Sequence, residues 1–161
     1  MKYAIIAEAY EKIEATTKRL EMTDLLVDLL KNTEKDIIDK VVYLTQGRIY
    51  PDFVGFEIGV AEKLAIKALA RASGTRESEL EEDLTKSGDI GESAQKFISS
   101  KKKVTIFQRP LTVQKVYETL DKMARASGSG AVDLKMSYLS GLLAAATPKE
   151  AKYIMRTVTG N

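Results

Sequence analysis

The sequence predicts an all-α fold: a compact helical domain of about nine helices with an internal pseudo-two-fold repeat. Three observations predict it. Apolar residues recur three and four positions apart along nearly the whole chain, which is the period of one helix face. Helix start and stop residues fall between those stretches, and no stretch alternates as a half-buried strand would. Much of the chain is also written twice. AYEKIEATTKRLEMTDLLVDLLKN followed by KVVYLTQGRI, within 9–49, answers to 116–161. Tyr10-Glu11 matches Tyr117-Glu118, and Tyr43-Leu44 matches Tyr153-Ile154. The second copy is the longer one, in the loop Ser127-Gly128-Ser129-Gly130. A long helix follows the first copy and nothing follows the second, as expected of a fragment of a longer protein.

In chain order, Ile6, Tyr10, Ile13 and Thr17 share one face of the first helix, with Glu8, Glu11, Lys12 and Glu14 largely opposite. Lys18-Arg19 is expected to close that helix at its negative pole, where cations are favoured. Met22, Leu25, Leu26, Leu29 and Leu30 give the second helix; Ile37, Ile38, Val41, Val42 and Leu44 give the third. Gly47, Pro51 and Gly55 mark a loop. A strong helix is expected over 59–72, stopped by Gly74 as a left-handed cap. Thr75 is expected to open the next, TRESELEEDL, ahead of acidic first-turn residues. Asp89 is the expected N-cap of GESAQKFI, and 99–110 reads as a basic loop or short extended excursion. Thr112 caps VQKVYETLDKMARA, and helices over 132–145 and 148–158 end the chain, with Thr147 as N-cap and Pro148 at the first helical position.

With 161 residues the chain is long enough for one domain with a real core. It has no Cys and no His, so disulfides, thiolate metal sites, Cys nucleophiles and a Ser-His-Asp triad are excluded. Its N-terminal apolar run is too short for a signal sequence or a membrane span, so a cytoplasmic (intracellular) protein is expected. Net charge is only +2, but acidic residues crowd into ESELEED while Lys101, Lys102 and Lys103 form a basic run. That separation permits one basic face on a nearly neutral protein. No Walker loop, GxGxxG, GxSxG, HExxH or KxDG is present, so neither a catalytic residue nor a metal site is expected in this chain.

Two patterns suit phosphate. In SGSGAVDLK, small residues let a phosphate approach the backbone N–H groups that open the next helix, and Lys135 adds a full charge about a turn in. An ordinary helix–helix turn accounts for the same residues, and GDIGE around Gly88 and Gly91 invites both readings. Lys63 and Lys67, at i and i+4 with Arg71 continuing the row, form a ladder spaced about 6 Å apart, either a phosphate track or a solvated face.

Taken together, IGVAEKLAIKALARASG, KSGDIGESAQ, PLTVQKVYETLDKMARASGSG and TPKEAKYIMRTVTGN resemble the N-terminal DNA-binding domain of archaeal and eukaryotic ATP-dependent DNA ligases. The likeness runs from about Tyr3 to Asn161, in the family's order and spacing. It implies a domain that lies over the minor groove beside a nick and binds double-stranded DNA without reading sequence. The parent ligase would seal nicks in replication and repair using ATP and a divalent metal (Mg), through adenylation and OB-fold domains outside this chain. The residues matching the family's DNA contacts are Thr17, Arg19, Gly59, Lys63, Gly88, Gly91, Gly128, Ser129, Gly130, Lys135 and Arg156, and Lys67 extends the ladder of Lys63. For Arg156 a salt bridge within the last helix is the other reading. Archaeal relatives also carry a sliding-clamp contact corresponding to KVTIF; here Lys103 replaces its Gln and Ile106 its first aromatic, leaving Phe107. The competing expectation is an α-helical protein-interaction scaffold without DNA binding.

Overall fold

The computed structural model describes residues 1–48, 60–100 and 109–160. Among them nine helices follow one another: α1 (Tyr3–Glu14), α2 (Arg19–Lys31), α3 (Ile38–Thr45), α4 (Glu62–Ser73), α5 (Glu77–Ser87), α6 (Ile90–Ser99), α7 (Val113–Arg125), α8 (Ala131–Ala145) and α9 (Pro148–Thr159). The architecture is all-α, and the described residues contain no strand beyond one isolated antiparallel bridge between Lys2 and Thr112. That bridge ties the first residues to the start of α7: Tyr3 N–H donates to the Leu111 carbonyl at 2.9 Å, and Val113 N–H to that of Met1 at 2.9 Å.

Local chemistry sets most of the boundaries. Asp89 Oδ1 accepts from Gly91 N–H at 2.9 Å, and Thr112 Oγ from Lys115 N–H at 3.1 Å. Thr147 and Glu150 form a reciprocal capping box ahead of α9, with Pro148 in its first turn. Gly74 and Gly88 end α4 and α5 in the left-handed region, where a Cβ would be strained. Three expected boundaries move. α1 stops at Glu14, so Thr17 leaves its face and Lys18-Arg19 does not close it; Lys18 instead caps the start of α2, with Arg19 as first residue. α4 starts at Glu62 rather than at Gly59, which lies outside the described residues. Arg76, not Thr75, is the N-cap of α5, without a side-chain bond.

The last helix is the centre of the core. Ala151, Ile154, Met155 and Val158 of α9 are fully buried, against Ile6 and Ala7 of α1, Ala94 and Ile98 of α6 and Leu143 of α8 within one apolar cluster. α6 lies along α9, α4 along α8, and α1 and α3 meet α9 and α7 respectively. Tyr10 of α1 meets Tyr153 of α9 edge-on, with ring centroids 5.5 Å apart. Burial, together with the charges of Asp39 and of Tyr43 on α3, raises the Tyr117 hydroxyl on α7. Tyr10 and Tyr153, far apart in the chain, thus pack against each other.

Candidate nucleic-acid interface

Six of the nine described helices open without a side-chain cap, and two of them, α2 and α8, follow short exposed connections. Between α1 and α2, Lys18 N–H donates to Thr16 Oγ at 3.2 Å, and the Thr16 hydroxyl donates to Glu21. Thr17, Lys18, Arg19 and Leu20 are left exposed at the start of α2. Between α7 and α8, Gly128 (φ 78°) and Gly130 (φ 81°) both adopt the left-handed region, Gly130 as N-cap of α8. A Cβ at either would meet nothing within 4 Å, so glycine is required there by backbone conformation rather than by space. Ser127, Gly128, Ser129 and Gly130 are all exposed, and Lys135 stands half-buried about a turn further on. The Lys18 N–H is held by Thr16 and the Ala131 N–H by the Gly128 carbonyl; the remaining N–H groups that open these helices carry the partial positive charge of a helix start.

On α4, Lys63, Lys67 and Arg71 are exposed while Ala65, Ile66, Ala68 and Leu69 are buried, so the cation ladder lies on the solvent side. Gly88 is exposed and ends α5.

Gly91 and Arg156 are placed elsewhere. Gly91 is buried where α6 crosses α9; a Cβ there would sit 2.8 Å from both Cγ and Nε of Arg156 and 3.0 Å from the Lys152 carbonyl oxygen. The Arg156 guanidinium donates through Nη1 to Glu14 Oε1 at 2.8 Å, and through Nη2 and Nε to the Asp89 carboxylate. Its salt bridges therefore join α9 to α1 and to the N-cap of α6, not residues of its own helix. The Tyr153 hydroxyl also donates to Glu14, at 2.7 Å, and Lys152 approaches the same carboxylate at 3.7 Å. Desolvation pushes the Glu14 and Asp89 carboxyls up. Hydrogen bonds and charge outweigh it, from Tyr153, Arg156 and Lys152 at Glu14 and from Arg156 and the Gly91 N–H at Asp89, and hold both below the usual range. Asp89 and then Glu14 raise the guanidinium against its own desolvation. Arg156 is thereby a cross-brace of the fold.

Sequence reasoning missed Leu20, Val132 and Leu134, exposed large apolar residues in the first turns of α2 and α8, beside Arg19 and Lys135. The signal was available: Leu20 falls off the apolar stripe of Met22, Leu25, Leu26 and Leu29. The segment 103–107 lies outside the described residues. Among the described residues no group of three Asp or Glu is arranged to hold a metal ion, and no helix is long and apolar enough to cross a membrane.

The family model described as DNA ligase N terminus matches residues 2–161. Among curated proteins, the chain is 44% identical over 160 residues to a DNA ligase of Nitrosopumilus maritimus, covering 99% of the chain and 27% of that protein. It is 48% identical over 167 residues to DNA ligase 2 of Thermofilum pendens (99% and 28%). It is 49% identical over 159 residues to DNA ligase 2 of Korarchaeum cryptofilum (99% and 27%). The chain thus spans between a quarter and a third of the length of these relatives.

Proposed function

The chain belongs to the DNA ligase N-terminus family, and from that premise we propose that it grips nicked double-stranded DNA without reading sequence. In this reading it serves as the duplex-holding arm of an ATP-dependent ligase that seals nicks in replication and repair. The observation that carries the reading is the family match over residues 2–161. Supporting it are the exposed starts of α2 and α8, each beside an exposed or half-exposed cation. The backbone N–H groups of residues 128–130 take one phosphate, with Lys135 adding charge; Thr17 and Arg19 take another from the other copy. Leu20 and Val132 face the sugar edges of the minor groove, where apolar side chains commonly seat. Lys63 and Lys67 extend the positive field along α4. ATP and Mg act in the parent enzyme's other domains, so this chain supplies binding and orientation and no bond-making step.

The scaffold reading calls for an apolar groove on a face free of cations. Leu20 and Val132 instead stand in the same helical turns as Arg19 and Lys135.

The test is fluorescence anisotropy of a labelled nicked duplex titrated with this chain at two salt concentrations. The expected result is salt-sensitive binding, log K falling by about 0.9 per phosphate neutralised for each unit of log salt. Lys135→Ala or Arg19→Ala weakens it. Absence of salt-sensitive binding at low salt sinks the proposal.

A further inference from the structure

α2 and α8 both begin at the candidate interface, and they are anchored to very different degrees. α8 packs on α4 and α7 and touches α9, and Leu139, Ser140, Leu142 and Leu143 along it are buried. α2 packs mainly on α1 among the described residues, and Leu29 is its one buried residue. Met22, Leu25, Leu26 and Leu30 complete its apolar stripe and stay half-buried, while Val27 is 41% exposed. On one side Leu26 borders an open cavity of about 520 Å³, where the last turns of α1, α3 and α9 converge. Apolar groups beside such a space lack partner atoms on that side and forfeit the contact.

The polar ties of α2 are local as well. The Thr16 hydroxyl donates to Glu21, Lys18 pairs with Glu21, and Thr23 and Asn32 donate to carbonyls one turn back. Among the described residues none of these bonds reaches another helix. α9, by contrast, is tied to α1 through Lys149, Tyr153 and Arg156. A helix of 13 residues is marginal in water by itself, so the order of α2 depends on its packing.

We propose that α2 opens as a unit of its own, hinged at residues 15–18, while α1, α6 and α9 stay folded, and that a bound duplex holds it closed. Sparse packing and half-exposed apolar contacts are what place a segment at the low-stability end of a fold. The second half rests on the DNA-binding reading. Arg19 and Leu20 stand in the first turn of α2, so only its closed state carries that part of the grip. Full affinity then belongs to the closed population alone, and the open fraction lowers the affinity observed. The packing of α2 thus sets how tightly the duplex is held, without any change at a contact residue.

The experiment is amide hydrogen exchange of the folded chain, read by NMR, free and with a nicked duplex whose binding is followed by anisotropy. In the free chain, amides 23–31 should be protected at least about a hundredfold less than those of α6 and α9. Leu29→Ala should speed exchange in α2 by about tenfold or more and leave α6 and α9 within about threefold. It should also weaken duplex binding, although Leu29 lies about 15 Å along the helix from Arg19. Protection of α2 equal to that of α9 overturns the proposal, as does a Leu29→Ala loss shared evenly by all helices. So does exchange in α2 that a bound duplex leaves unchanged. Absence of salt-sensitive binding sinks the DNA-binding reading instead, and the free-chain comparison still decides whether α2 opens alone.

Discussion

The seam where α1, α6 and α9 meet and the connection between α7 and α8 both use glycine beside a cation, and they use them in opposite ways. At the seam Gly91 is buried, and what it provides is space: Arg156 lies where its Cβ would be. The guanidinium is engaged by Glu14 and Asp89 on two other helices. In the connection Gly128 and Gly130 are exposed with open space around them, and what they provide is backbone conformation. Lys135 there stands about a turn into α8. A cation held by partners on two other helices braces the fold, whereas Lys135 is left half-exposed near an exposed helix start.

Substitutions can break or sharpen that contrast. Arg156→Ala should have the largest effect, a loss of about 2–4 kcal/mol in chemical denaturation; the figure is reduced from that of a fully buried pair because Glu14 is partly exposed. A change under about 0.5 kcal/mol would place Arg156 with the exposed cations. The same variant tests acid sensitivity. Glu14 and Asp89 are held below their unfolded values, so their contribution is complete above the ordinary carboxylate pKa near 4 and is lost as pH falls through the lower folded values. Urea midpoints should therefore drop between about pH 5 and pH 2 in the unmodified chain and fall less steeply in Arg156→Ala.

Gly91→Ala comes next. Its Cβ must displace Arg156 or the α9 backbone, at a cost of about 1–3 kcal/mol read from thermal melts. Gly130→Ala, with nothing to clash against, should cost only the left-handed backbone penalty of about 1 kcal/mol. Lys135→Ala closes the series, with stability unchanged within about 0.5 kcal/mol. Its effect should appear in duplex binding, as a salt slope smaller by about 0.9. If Lys135→Ala melts the chain while Arg156→Ala abolishes binding in a stable domain, the contrast is reversed.

Much of the fold was legible along the chain because helix period and cap chemistry are local. Asp89, Thr112 and Thr147 cap as expected, and Gly74 stops α4. The errors came where a boundary has no side-chain signature. α2 begins at Arg19 after Lys18, and α5 at Glu77 after Arg76, neither with a side-chain cap, so Lys18-Arg19 passed for a helix end and Thr75 for a start. At the candidate site, the exposure of Thr17, Arg19, Lys63, Lys67 and the residues 127–130 agrees with a reading of them as surface. Gly91 and Arg156 look equally available in sequence, yet they form a packed crossing.

By itself the sequence determined the helical class, most of the caps, the absence of His and Cys chemistry, and a family likeness spread over the whole chain. All of these rest on residue type and short-range spacing. Tertiary structure alone decided which cations are bound by the fold, which glycine is there for space, and where three helix ends converge. Glu14, Asp89 and Arg156 are far apart in the chain, and nothing in their local spacing tells that they meet. Electrostatic roles depend on distance and solvent exposure, quantities that exist only after the helices have packed.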